Sequence, residues 1–194
     1  MEIQSYSGIN FPKELTGTTV VFDVFRASNT IITCLENGAG VIFPTASITD
    51  AQIMGEEPDY LLIGERGGIK VDGFDYDNSP TTLNKKNLEN KRIILSTSAC
   101  TKILSKLPNT SKIYIGSFAN ITAIQKKIRE TKPNQLNLIA VGENGEKPAV
   151  EDEECASYLK NKILGNPVDF QAVREKILKG DGAQRLRRLG QEKD

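Results

Sequence analysis

The stretch "TTVVFDVFRASNTIITCLENG", Thr18 to Gly38, decides the fold. Its opening "TTVVF" is a short Val-rich apolar run that reads as a buried strand. After a loop containing Asp23 and Arg26 comes a helix, with Ser28 as its expected N-cap and Gly38 just past its end. The same strand-then-helix alternation recurs outward from this unit. Further strands are expected at "GVIFP" (40–44), "YLLIG" (60–64), "RIILS" (92–96), "KIYIG" (112–116) and "LNLIAVG" (136–142). Helical patterns fill the intervals, at "SITDAQIMGEE", "TSACTKILSKL", "SFANITAIQKKIRE" and "VEDEECASYLKNKIL", and Pro80 opens another behind Asn78 or Ser79. Repeated βαβ units imply an α/β protein around a mostly parallel sheet, and the six expected strands are enough for a doubly wound one. No internal repeat or linker interrupts residues 1–194, which are expected to form a single domain with a helical segment from about residue 166.

Composition narrows the chemistry. Among 194 residues, 25 basic side chains balance 25 acidic ones, so no excess charge points to nucleic acid or an anionic membrane surface. No apolar run is long enough for a membrane span and no leader pattern opens the chain, which makes a cytoplasmic location the expectation. Three widely spaced cysteines, Cys34, Cys100 and Cys155, fit reduced thiols. There is no histidine, which removes Ser-His-Asp and Cys-His triads and imidazole metal sites. Catalysis would have to use carboxylates, Arg, Lys, hydroxyls, thiols or a hard metal ion.

In parallel sheets, ligands bind beyond the carboxyl ends of the strands. The residues expected there are Asp23 and "VFRAS", "GERGG", "STSACT", "GSFAN" and "GENGEKPAVED". Asp23, Arg26, Glu65 and Arg66 would thereby share a rim with the hydroxyls of Ser28, Thr97, Ser98 and Ser117. Arginines and helix N-termini hold oxyanions, and carboxylates hold a divalent cation. Each loop also has a plainer reading. Asp23 could cap a helix or pair with Arg26, Arg26 and Arg66 could make structural ion pairs, and Asp75 with Asn78 could fix the turn before Pro80. Arg185, Arg187 and Arg188 read as a solvated helix face, and Cys100 lacks the C-x5-R loop of cysteine phosphatases.

Taken in order, "DVFRASNT", "GERGG", "GFDYDNSP", "GSFAN" and "ED" resemble the 2-phosphosulfolactate phosphatase (ComB-like) family. The resemblance runs from about Val20 to about Gly190 and carries over Asp23, Arg26, Ser28, Glu65, Arg66, Asp75, Asn78, Ser79, Thr97, Ser117, Asn120, Glu151 and Asp152. It implies a three-layer α/β/α sandwich with a mostly parallel sheet of about six or seven strands, and a Mg2+-dependent phosphoric monoester hydrolase converting 2-phosphosulfolactate to sulfolactate and phosphate on the coenzyme M route. Its partner would be a small phosphate ester, with no nucleic acid or membrane, and a homodimer is the base-rate expectation for a soluble enzyme. On this basis Asp23, Arg26, Glu65 and Arg66 are the expected catalytic residues. Ser28, Asp75, Asn78, Thr97, Ser98, Ser117 and Asn120 are expected to bind substrate, and Asp23, Glu65, Asp75 and Asp152 to bind metal. Two alternatives stay open: a different small phosphorylated acid as substrate, or a non-catalytic anion-binding protein. The chain departs from the family pattern at Asp77, at Ala99 and Cys100, and at Gly182 and Ala183.

Overall fold

The computed structural model describes residues 1–108 and 112–194. Eight strands occur among them: β1 (Glu2–Ser7), β2 (Thr18–Phe22), β3 (Val41–Pro44), β4 (Tyr60–Arg66), β5 (Ile69–Lys70), β6 (Arg92–Ser96), β7 (Lys112–Gly116) and β8 (Gln135–Ala140). The helices are α1 (Ala27–Glu36), α2 (Ile48–Met54), α3 (Pro80–Leu83), α4 (Cys100–Leu104), α5 (Ile121–Thr131), α6 (Val150–Leu164), α7 (Phe170–Lys179) and α8 (Asp181–Arg188).

The α/β class is as the sequence indicates, but the strands divide between two sheets. One has the order β1-β8-β2-β7 and is parallel throughout; the other, β3-β6-β4-β5, is parallel except for the β4–β5 pair. Four strands per sheet replace the expected six or seven in one. The two additions are β1 and β5. "EIQSYS" carries no apolar alternation, and β1 is held as an edge strand by its backbone ladder to β8. β5 exists because Gly67 and Gly68 both take left-handed φ, +62° and +85°, which lets β4 turn back on itself.

Alternation along β2 explains the layering. Val20 and Phe22 face Ile121, Ile124 and Ile128 of α5 and Cys155 and Leu159 of α6. Val21 faces the other way, toward Ala27, Cys100 and Ile103 of α1 and α4. The second sheet repeats the plan, with Ile31 and Cys34 of α1 against Ile63, Ile93 and Leu95, and Ala51 of α2 against Ile94. Helix α1 starts at Ala27, with Arg26 in the cap position, so Ser28 lies inside the helix; its hydroxyl instead accepts the Asp23 N–H at 2.9 Å. Ser79 caps α3 and Pro80 is its first residue. The tail forms two helices broken at Gly180. Among the described residues, no helix is long and apolar enough to cross a membrane.

Candidate active site

The loops leaving β2, β4, β6 and β8 meet at a cavity of about 300 Å³. Asp23, Arg26, Glu65, Asn78, Ser98 and Asp152 all line it. Its remaining wall comes from the first turn of α6 and from one face of α8, including Glu151, Arg185 and Arg188.

Local hydrogen bonds explain how the acidic residues are held. Asp152 Oδ1 accepts the Val24 N–H (2.7 Å) and Oδ2 the Gly142 N–H (2.8 Å), so one carboxylate ties the loop after β2 to the loop after β8. Glu65 does the same for the β4–β5 turn and the loop after β6. Its Oε1 accepts the Ser98 N–H (2.7 Å), and its Oε2 accepts the Gly68 N–H (2.7 Å) and the Ser98 hydroxyl (3.1 Å). Asp23 differs. Its Oδ1 accepts the Ala27 N–H at 3.1 Å, and Oδ2 has no donor among the described residues. Among the described residues, the buried Oε2 of Glu151, a residue 3% exposed, has no hydrogen-bond partner, and neither has the buried Oδ1 of Asn78. Two orphaned buried oxygens in one cavity are unusual in a folded protein and call for a ligand.

The charge balance points the same way. Burial pushes Asp23 up to about 6, reinforced by the negative charges of Glu65 and Glu151, against the lowering effect of the Ala27 N–H. Burial also raises Glu151, and raises Asp152 well above the ordinary range with help from the Asp23 charge. Around the cavity stand the carboxylates of Asp23, Glu65, Glu143, Glu151, Asp152 and Asp181, against the guanidiniums of Arg26, Arg185 and Arg188. Arg26 is further neutralised by Asp194, whose Oδ2 takes a bond from Nη1 at 2.7 Å with both side chains buried. Burial alone would raise Asp194, but bonds from Ser79, Arg26 and Thr81 outweigh it and hold its carboxyl below the ordinary range. The cavity is an acidic one and favours a cation.

The other expected residues lie outside this cavity. Arg66 directs its guanidinium at backbone carbonyls, from Nη1 to Glu65 (2.7 Å) and Ser96 (3.1 Å) and from Nη2 to Ala46 (3.0 Å), with a further bond to the Ser96 hydroxyl. Asp75 is exposed and accepts the Leu62 N–H, fixing the turn before α3. Thr97 pairs reciprocally with Thr101. Ser117 and Asn120 close the loop after β7, with the Ser117 hydroxyl bonded to Asn29. Cys100 is fully buried and its thiol is raised well above the usual range, chiefly by desolvation, the opposite of an activated thiolate.

Sequence reasoning left Glu151 out of the metal set and read the arginines of α8 as solvated. The signal for Glu151 was its place beside Asp152 at the helix start after β8. For the arginines the signal was the i, i+3 spacing of Arg185 and Arg188, which puts both on one helix face. Among the described residues, no three acidic or thiol side chains converge on one ion position, so the expected four-carboxylate metal set is not gathered at a point.

The fold and site define a class: a parallel α/β protein with an acidic, ligand-demanding cavity at the carboxyl ends of its strands. The family described as 2-phosphosulpholactate phosphatase matches residues 6–194, and the chain belongs to that family. Relatives named "Probable 2-phosphosulfolactate phosphatase" include one from Clostridium novyi, 34% identical over 84% of this chain and 70% of its own length. One from Caldicellulosiruptor saccharolyticus is 35% identical over 76% of this chain and 62% of its own, and one from Thermotoga petrophila is 32% identical over 91% and 82%. The chain thus spans about two thirds of the length of the first two relatives.

Proposed function

We propose that this protein is a Mg2+-dependent phosphatase that hydrolyses a small acidic phosphate monoester. The substrate named by its relatives, 2-phosphosulfolactate, is the first choice, and the coenzyme M route is its proposed setting. The observation that carries this reading is the pair of buried, unsatisfied oxygens, Glu151 Oε2 and Asn78 Oδ1, in a cavity whose carboxylates repel one another.

The residues present fit Mg2+ in its usual protein setting, where one or two carboxylates share the ion with water and substrate phosphate. Asp23 and Glu151 would hold it, because Asp152 and Glu65 already use both oxygens on backbone donors. When bound, the ion would neutralise the carboxylates facing the phosphate and stabilise charge on the leaving oxygen. Asp152 and Glu65 act as positioning residues that fix the loops bearing Asp23, Glu151 and Ser98. The first turns of α6 and α8, which have no side-chain cap, offer backbone N–H groups and positive dipole ends to the phosphoryl oxygens. Arg26, held by Asp194 and by the Gly68 carbonyl, orders the wall of the site in this state. Asn78 would offer its unpaired Oδ1 as a hydrogen-bond acceptor to the bound ligand.

A screen of small phosphorylated acids with and without Mg2+ tests the reading. Phosphate release that depends on Mg2+ and is abolished by a chelator is expected. Tight anion binding without release from any ester would contradict it and favour a binding protein.

A further inference from the structure

From the commitments of the cavity's cations we infer that Arg185 and Arg188 on α8 form a second anion subsite. It selects substrates carrying an acidic group besides the phosphate. The inference rests on the phosphatase reading for its biological setting, but not for its test.

The basic groups near the cavity are unequally available. The side chain of Arg26 is 3% exposed, with its guanidinium bonded to Asp194 and to the Gly68 carbonyl, and the guanidinium of Arg66 is directed at carbonyls outside the cavity. Among the described residues Arg185 has one ion-pair partner, a loose one, Glu143 at 3.8 Å, with both side chains substantially exposed, and its charge also acts on Asp23 and Glu151 from further off. Arg188 lines the cavity and has no ion-pair or hydrogen-bond partner among the described residues. The positive charge of this cavity that is least committed to protein partners therefore sits on one face of α8.

The seat of α8 is defined. A Cβ on Gly182 would lie 2.1 Å from Glu151 Oε1, so the helix start is pressed against the buried carboxylate. At its other end a Cβ on Gly68 would come within 2.8 Å of the Leu189 side chain, so the β4–β5 turn also meets the helix. Ala183 and Leu186 are buried on the inner side. A ligand whose phosphoryl group is anchored near Asp23, Glu151 and the first turn of α8 would reach Arg185 and Arg188, further along the helix, with its other end. Sulfonate and carboxylate groups suit guanidinium forks, which donate two parallel hydrogen bonds. A phosphate ester of a neutral alcohol would leave that wall unused.

Arg187 provides the internal control. It lies on the same helix with the same charge, but it bonds the Leu178 carbonyl and does not line the cavity. Calorimetric titration of the full chain with 3-sulfolactate, which carries both acidic groups and no phosphate, reads the subsite directly, and inorganic phosphate reads the rest of the cavity. Arg185→Gln/Arg188→Gln is expected to weaken 3-sulfolactate binding at least about tenfold, equivalent to about 1.4 kcal/mol, and phosphate binding less than about threefold. Arg187→Gln is expected to change neither. The inference is overturned if the wild type does not bind 3-sulfolactate or if the double variant binds it as well as the wild type. It is also overturned if phosphate binding falls in parallel, or if Arg187→Gln reproduces the loss. Phosphate release from p-nitrophenyl phosphate, measured separately, reads the phosphatase function itself.

Discussion

Replacing Glu65 with Ala separates a positioning role from a catalytic one. In the folded protein its carboxylate accepts two backbone N–H groups, from Ser98 and Gly68, and one hydroxyl. Removing it orphans both backbone donors, each at a cost of about 1–3 kcal/mol. Because Ser98 and Gly68 line the cavity and water can reach them, the lower end applies, about 1 kcal/mol each. Loss of one buried methylene adds about 0.8 kcal/mol. Relief of the repulsion between Glu65 and Asp23 offsets part of this. A net loss of about 2 kcal/mol remains, which for a chain of this size lowers the melting temperature by about 4–8 °C. Circular dichroism melts of wild type, Glu65→Ala and Glu65→Gln give the comparison, with the Gln variant intermediate because it keeps one acceptor oxygen. A Glu65→Ala melting temperature within about 1 °C of wild type would refute the claim that this carboxylate staples the β4–β5 turn to the loop after β6.

Three further outcomes are expected. Arg66→Ala should lower the urea midpoint clearly while reducing kcat/KM less than about tenfold, since its guanidinium bonds carbonyls outside the cavity; a larger kinetic loss in a normally stable variant would contradict that placement. Asp194 is held below the carboxylate value of 3.8, so its stabilising contribution is fully present above that pH and is lost as pH falls through the lower, folded value. The difference in unfolding free energy between wild type and Asp194→Asn should therefore be flat from about pH 7 to 5 and shrink below about pH 4; a difference that grows on acidification would reverse the sign of the argument. Finally, all three thiols are buried, so a thiol reagent should label none in the native protein and three after unfolding, and fast native labelling of Cys100 would contradict its environment.

The apolar strands were readable because each is a short apolar run closed by polar residues; "TTVVF", "RIILS" and "KIYIG" have the bounds their composition suggests. β1 was not, since an edge strand is stabilised by its partner's backbone and "EIQSYS" leaves no pattern. The split into two sheets depends on which strands pair, a long-range property absent from local periodicity. At the site, chain order correctly indicated that the exits of β2, β4 and β8 share a rim, but side-chain direction was invisible. Arg26 and Arg66 look alike as residues after strand ends, yet one lines the cavity and the other reaches to the carbonyl of Ala46. The arginines of α8 escaped for a similar reason. Whether a polar tail helix is solvated or docked turns on a close approach such as Gly182 to Glu151, residues far apart in the chain.

The most direct test of the central claim is phosphate release from 2-phosphosulfolactate at saturating Mg2+ by wild type, Asp23→Asn and Glu151→Gln. Each substitution is predicted to lower the rate at least about tenfold, equivalent to about 1.4 kcal/mol of transition-state stabilisation, and to raise the Mg2+ concentration needed for half-maximal rate. Unchanged rate and unchanged Mg2+ dependence in both variants would contradict the assignment of these two carboxylates as the metal-holding pair.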